Sequence, residues 1–236
     1  MHQNCDDFLK SLHNNQVSVF EQTIEQEGDT AHRASAVQTV LDLSQCIEKV
    51  SNRPEHEVFE LSIKEYQHAL NAVCHGNYRQ AFSSLRLALE LWLAGISFST
   101  TERELRAWKA RKQDIVWGKL IDENNGILSK ALISLFCPQL EQHAASYRVI
   151  CEKIYRECSE YVHGNHHTHA LLPQEISFNQ LTFREWCAKS ETFKLVCLFC
   201  YTYRYSEIVA ITGLANIGQP IGDALGHIPE IRSLGN

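Results

Sequence analysis

The chain is expected to hold no apolar run long enough to cross a bilayer. Its most apolar stretch, residues 193–203, is too short and carries Lys194, so it is expected as a core helix. There is no two-residue alternation of weight, hence no strands are expected, and there is no internal repeat or low-complexity segment. Positive charge is not in excess. With 22 Lys and Arg against 28 Asp and Glu, the net charge is −6. That argues against a broad non-specific nucleic-acid binder while leaving room for a small basic site. The N-terminus, Met1-His2-Gln3-Asn4-Cys5-Asp6-Asp7, does not have the composition of a signal peptide. Cys197 and Cys200 have Cys-x-x-Cys spacing but no second pair, which reads as core packing rather than a redox or zinc site. The cysteine count, 9, is odd, and several fall on helix-core positions. A reduced, cytoplasmic protein fits this better than a secreted disulfide scaffold.

What remains is helical throughout, and 236 residues suffice for one domain or one with an extension. Residues 4–27 read as one or two amphipathic helices ending near Gly28. A second helix covers about 31–50, with Val37, Val40, Leu41, Ile47 and Val50 as its face, and Pro54 stops it. A third, 55–75, turns Phe59, Ile63, Tyr66, Leu70 and Val73 inward and ends at Gly76. The fourth, 78–98, is the most apolar of the helices. The short Gly76-Asn77 link makes these two antiparallel neighbours. A charged helix over 100–112, a turn at 124–126 and a short helix over 128–136 follow. Residues 165–182 read as a loop, 183–212 as the last strong helix, and 213 onward as a loosely ordered tail.

Chemistry concentrates in the helix that begins near Pro138 and ends at Gly164. Leu140, Ala144, Tyr147, Cys151, Ile154, Cys158 and Tyr161 recur at spacings of four and three, the seam of a packed helix. Arg156 and His163 lie two turns apart, roughly opposite that seam, with Ala145 and Val149 above them. Gly164 reads as the left-handed stop, which leaves His163 beside unpaired carbonyls where a cationic imidazole is favoured. Two outcomes are open for the pair. Arg156 either pairs with Glu152 or Glu160 on a solvated face while His163 caps the helix, or the two form a site.

Other groups are weighed the same way. Arg79, Arg86 and Glu90 share one stripe of the fourth helix and either line a cleft or bridge two helices as ion pairs. Arg106, Trp108, Lys109, Arg111 and Lys112 form the one basic cluster, suited to phosphate contact and base stacking or to a solvated face. His166, His167 and His169 follow His163, but without spaced cysteines a polar loop is a better account than a metal site.

The run Tyr155-Arg156-Glu157-Cys158-Ser159-Glu160-Tyr161-Val162-His163-Gly164, downstream of Gln80-Ala81-Phe82-Ser83-Ser84-Leu85-Arg86-Leu87-Ala88-Leu89-Glu90-Leu91, resembles the HEPN superfamily of helical-bundle proteins. Members are common in toxin–antitoxin, abortive-infection and CRISPR-linked defence systems. The resemblance covers about residues 55–212. It implies an all-α antiparallel bundle, with an arginine and a histidine separated by four to six intervening residues that cleave RNA without metal at a homodimer interface. It maps that pair onto Arg156 and His163. Supporting candidates follow from position alone: Ser159 and Asn165 to bond the backbone or position the arginine, Glu160 to hold or neutralise it, and Arg86 and Glu90 to line the same cleft. Where members usually carry Asn, Asp or His after the arginine, this chain has Glu157, and relatives without the arginine are binding modules.

The expectation is therefore a HEPN-like bundle over 53–212, an N-terminal helical extension over 1–52 and a tail over 213–236. Its implied partners are an RNA substrate and a second copy, with no cofactor, no metal and no membrane. The alternative is a non-catalytic module that binds a regulatory protein or senses a nucleotide.

Overall fold

The computed structural model describes residues 2–163, 166, 168, 172, 173, 175–216 and 218–234; of residues 2, 3, 212–216 and 218 it describes the backbone alone. Every regular element among them is helical. The helices are α1 (His2–Glu25), α2 (Thr30–Glu48), α3 (His56–Cys74), α4 (Tyr78–Phe98), α5 (Glu102–Lys109) and α6 (Trp117–Leu120). They continue as α7 (Lys130–Phe136), α8 (Ala144–Val162), α9 (Gln180–Arg204), α10 (Ser206–Asn216), α11 (Gly218–Leu225) and α12 (Pro229–Leu234). Short 3-10 turns stand at Glu27–Asp29 and Pro138–His143.

α4 and α9 form the middle of the bundle. Their apolar residues are too many for one face. From Val196 to Tyr203 every residue of α9 is buried, so this segment is enclosed on all sides. α2, α4 and α8 pack around α9, and α3 closes the ring between α2 and α4. Four buried aromatics with a polar tip reach backbone carbonyls. Trp92 donates to Cys197 at 3.0 Å, Trp186 to Ala81 at 3.2 Å, Tyr201 to Cys46 at 2.7 Å and Tyr203 to Ile127 at 2.6 Å. These bonds cross between elements distant in sequence and fix helix register without leaving polar atoms unsatisfied.

The α3–α4 hairpin turns as its sequence predicts. Gly76 takes φ 73°, its N–H reaches the Val73 carbonyl at 3.2 Å, and the Asn77 N–H reaches Ala72 at 2.9 Å. This glycine-closed helix end reverses the chain and runs α4 back along α3. α4 is long and apolar enough to cross a membrane by length and composition, yet here it is mostly buried within the bundle.

Several expectations need correction. The face of α2 is Ala36, Thr39, Leu43, Cys46 and Ile47, while Val37 and Leu41 stay about half exposed. The rotation follows from Asp42, which turns inward to pair with Lys194 of α9. The helix expected over 183–212 starts earlier, where Asn179 caps it by accepting from the Thr182 N–H at 3.0 Å. It then breaks at Tyr205, whose hydroxyl is held by buried Glu55 at 2.7 Å.

Residues 218–234 are not loosely ordered. They form α11 and α12, with Ile221, Leu225, Ile228 and Ile231 buried in the same core as α4 and α9. α2 also contributes to that core, so no separate core lies on the N-terminal side of residue 52. The motif helix opens as a 3-10 turn from Pro138 rather than as one continuous α-helix.

Candidate functional site

All members of the predicted seam of α8, from Leu140 to Tyr161, are buried. Four flat side-chain contacts hold this face. Tyr147 stacks on Phe199 at 3.7 Å between ring centroids, and Tyr161 on Phe82 at 3.8 Å. Trp117 stacks on Tyr155 at 3.5 Å, and the Arg86 guanidinium lies over the other side of Tyr155 at 4.5 Å. With the seam packed, the opposite face of α8 is left to solvent, and it carries Ala145, Val149, Arg156 and His163, all exposed.

His163 caps α8, with its own N–H on the Ser159 carbonyl at 3.1 Å. The carbonyls beside it are not free, contrary to the sequence expectation. Arg79 of α4 donates to the Tyr161 carbonyl at 2.7 Å, and the Thr168 hydroxyl donates to that of Glu160 at 3.2 Å. The antiparallel packing of α4 on α8 places a fixed cation at the negative end of the α8 dipole. Arg79 therefore occupies the role that helix-end reasoning gave to His163.

Among the described residues, Arg156 pairs neither with Glu152 nor with Glu160, the two glutamates expected to neutralise it, nor with its neighbour Glu157. Glu152 is taken by Arg148 at 3.4 Å. Glu157 is taken by Lys189 of α9 at 2.8 Å and approached by Lys153 at 3.9 Å. Among the described residues, neither Arg156 nor His163 makes a side-chain hydrogen bond or an ion pair. Ser159 donates to the Tyr155 carbonyl at 2.7 Å, so its hydroxyl serves its own helix and does not orient Arg156. Asn165, His167 and His169 lie outside the described residues.

Arg86 and Glu90 meet α8 at Tyr155. Arg86 bonds Glu90 at 3.1 Å and the Tyr155 hydroxyl, which in turn donates to Glu90 at 3.0 Å. This closed triad is the ion-paired bridge between α4 and α8, one of the two readings left open above. Its charges are engaged with each other, although the Arg86 Nε is buried with no hydrogen-bond partner among the described residues. Tyr155 and Trp117 belong to this neighbourhood and were not singled out from the sequence. Tyr155 stood inside the quoted motif and adjoins Arg156. Trp117 opens the short α6, and no local spacing signals its arrival at Tyr155.

The basic cluster sits elsewhere. α8 ends beside Arg79 at the start of α4, whereas α5 follows the end of α4, about 28 Å further along that helix. Arg106 is held by Glu102 at 2.6 Å and Lys109 by Glu57 at 2.8 Å. Trp108 packs on Phe98 in a small apolar cluster with Leu105. Its ring is thus spent on packing rather than offered to a base. Arg111 and Lys112 are exposed. The structure does not bring this cluster to Arg156 and His163.

The cysteine reading agrees with the geometry. Cys197 and Cys200 are fully buried, and burial pushes both thiols well above their ordinary range, away from thiolate chemistry. Comparison of the chain with protein-family models, with curated proteins and with solved structures finds no match.

Proposed function

We propose that the chain is a metal-independent endoribonuclease of HEPN type, acting as a cytoplasmic homodimer in growth arrest or defence, with Arg156 and His163 as its catalytic pair. One observation supports this reading above the rest: the guanidinium and imidazole that share a face of α8 are both exposed and both unspent. Of the carboxylates beside Arg156, Glu152 is held by Arg148 and Glu157 by Lys189, while Glu160 makes no ion pair among the described residues.

The chemistry needs little more than these groups. Attack of a ribose 2′-hydroxyl on its own phosphate requires a proton acceptor, a donor to the departing 5′-oxygen, and positive charge on the pentavalent intermediate. An imidazole accepts and returns a proton. A guanidinium forks onto two phosphate oxygens and stabilises the charge that develops there. A second copy facing the first supplies a second imidazole, so that one acts as base and the other as acid.

The test is incubation of the purified protein with single-stranded and structured RNAs in EDTA. Cleavage leaving a 2′,3′-cyclic phosphate is expected, with His163→Ala and Arg156→Ala each losing roughly 10²- to 10⁴-fold. RNAs left intact, or full activity in both variants, would overturn the proposal. A second reading, a non-catalytic module for a regulatory protein or a nucleotide, is favoured by one feature. Among the described residues, no side chain orients Arg156 or His163, whereas catalytic groups are ordinarily held in place. On that reading, overexpression arrests growth to the same extent in the double variant as in the wild type.

A further inference from the structure

α1 packs on the bundle through only part of its length. The Thr23 hydroxyl bonds the Cys74 carbonyl at 3.2 Å, Phe20 stacks on His75 at 4.9 Å, and Val19 is buried near Gly76. Following α1 toward its N-terminus thus follows α3 toward its C-terminus and then past it. The preceding turns overhang the end of the bundle at which α8 also finishes. From Asn4 to Ser18 every residue is exposed except Leu12 and Gln16, which are half-buried. Phe8 and Leu9 are 64 % and 62 % exposed.

The stripe of α1 that is buried at Val19 and Thr23 continues into this overhang as Gln16, Leu12, Phe8 and Cys5, at steps of three and four residues. Four unsupported turns are marginal as an isolated helix in water. The overhang is built to be covered.

A matching vacancy lies on the same chain. A groove of about 380 Å³ is bounded by Phe20, Ile24, Val37, Leu70 and Phe183, with Arg33 on its rim. Arg33 bonds the Thr23 and Gln26 carbonyls and the Thr30 hydroxyl, and it has no carboxylate partner among the described residues. Asp6 and Asp7 flank Phe8 and have no cationic partner among the described residues. The overhang and the groove are therefore complementary in both apolar character and charge. They cannot meet within one copy, because one continuous helix holds Phe8 about 18 Å from Phe20.

We infer that the first two-thirds of α1 is a dimerisation arm, which seats Phe8 and Leu12 in the α1–α2–α3 groove of a second copy while that copy's arm fills the groove of the first. Such an exchange is closed and two-fold. Each arm is about 24 Å long and about 10 Å wide. One dock hides roughly 250 Å² on each surface, and two reciprocal docks reach about 1,000 Å², the lower bound for a specific interface. The arm lies outside the stretch that resembles the HEPN superfamily, and the inference stands whether or not the chain cleaves RNA.

Light scattering on the full chain tests it, with thermal melts as a control for folding. Wild type should run at twice 27.0 kDa at micromolar concentration. Phe8→Glu with Leu12→Glu, and separately Val37→Glu, should each run as monomers with unchanged circular dichroism; all three side chains face solvent or its edge, so the fold should tolerate them. A second measurement uses Cys5, the exposed thiol. A fluorophore there should report a lower fluorescence anisotropy in both variants than in wild type. A monomeric wild type would overturn the inference, as would a dimer that survives either variant.

Discussion

At the scale of single residues, Glu55 shows how one buried carboxylate ties distant parts together. It is 2 % exposed, bonded by Arg53 at 2.6 Å and by the Tyr205 hydroxyl at 2.7 Å. Burial raises the pKa of its carboxyl, but these bonds to the ionised form outweigh burial and hold it below the ordinary 4.5. A carboxyl that binds its proton less well when folded contributes stability above its unfolded pKa. That contribution is lost as pH falls through the lower folded value. Glu55→Gln should therefore cost about 1.5–3 kcal/mol near neutral pH and flatten the acid limb of the stability curve, as read by urea melts from pH 6 down to pH 2. A variant as acid-sensitive as wild type would remove Glu55 from this account. Arg53, a residue before proline, was legible only as part of a helix stop; its pairing with Glu55 and Tyr205 depends on a chain segment 150 residues away.

At the scale of elements, helix ends carry the clearest contrast. Gly76 and Arg111 both occupy left-handed positions, at φ 73° and φ 56°. Both close a helix with the same pair of backbone bonds, Asn77 to Ala72 and Lys112 to Ala107 each at 2.9 Å. Glycine occupies that conformation freely, whereas an L side chain costs about 1–2 kcal/mol. Arg111→Gly should therefore stabilise the fold by about 1 kcal/mol. Gly76→Ala should cost at least about 1–2 kcal/mol, because the added Cβ would also stand 3.1 Å from Val19 Cγ1 and 3.3 Å from the Ser177 carbonyl. Chemical denaturation of both variants checks the opposite signs. Helix termination at Gly76 was readable because glycine announces it. The end of α5 was not, since nothing in Ala110-Arg111-Lys112 signals a left-handed residue.

At the scale of the whole molecule, the C-terminal helices belong to the core. Ile221, Leu225, Ile228 and Ile231 are buried against it. At about 1.5–3 kcal/mol for each buried aliphatic side chain, truncation after residue 217 should cost at least about 4 kcal/mol and lower the melting temperature by more than 8 °C. A truncated chain that melts with wild type would return this segment to the status of a tail. The glycines and prolines of 213–236 suggested looseness because they interrupt helices locally. What that composition does not reveal is that the short helices between them carry isoleucines at core spacing.

The sequence alone determined the all-helical class, the α3–α4 hairpin and the buried seam of α8, because spacings of three and four residues and a glycine stop act within a few turns of chain. It also oriented Arg156 and His163 away from that seam, since a helix fixes the bearing of every side chain once one face is known. Only the tertiary structure decided which charges are spent. Arg79 reached the end of α8, Lys189 took Glu157, and Arg86 closed on Glu90 and Tyr155. Ion pairs and caps form between whatever surfaces packing brings together, and hydrophobic burial, which has no direction of its own, sets that packing over the whole chain at once.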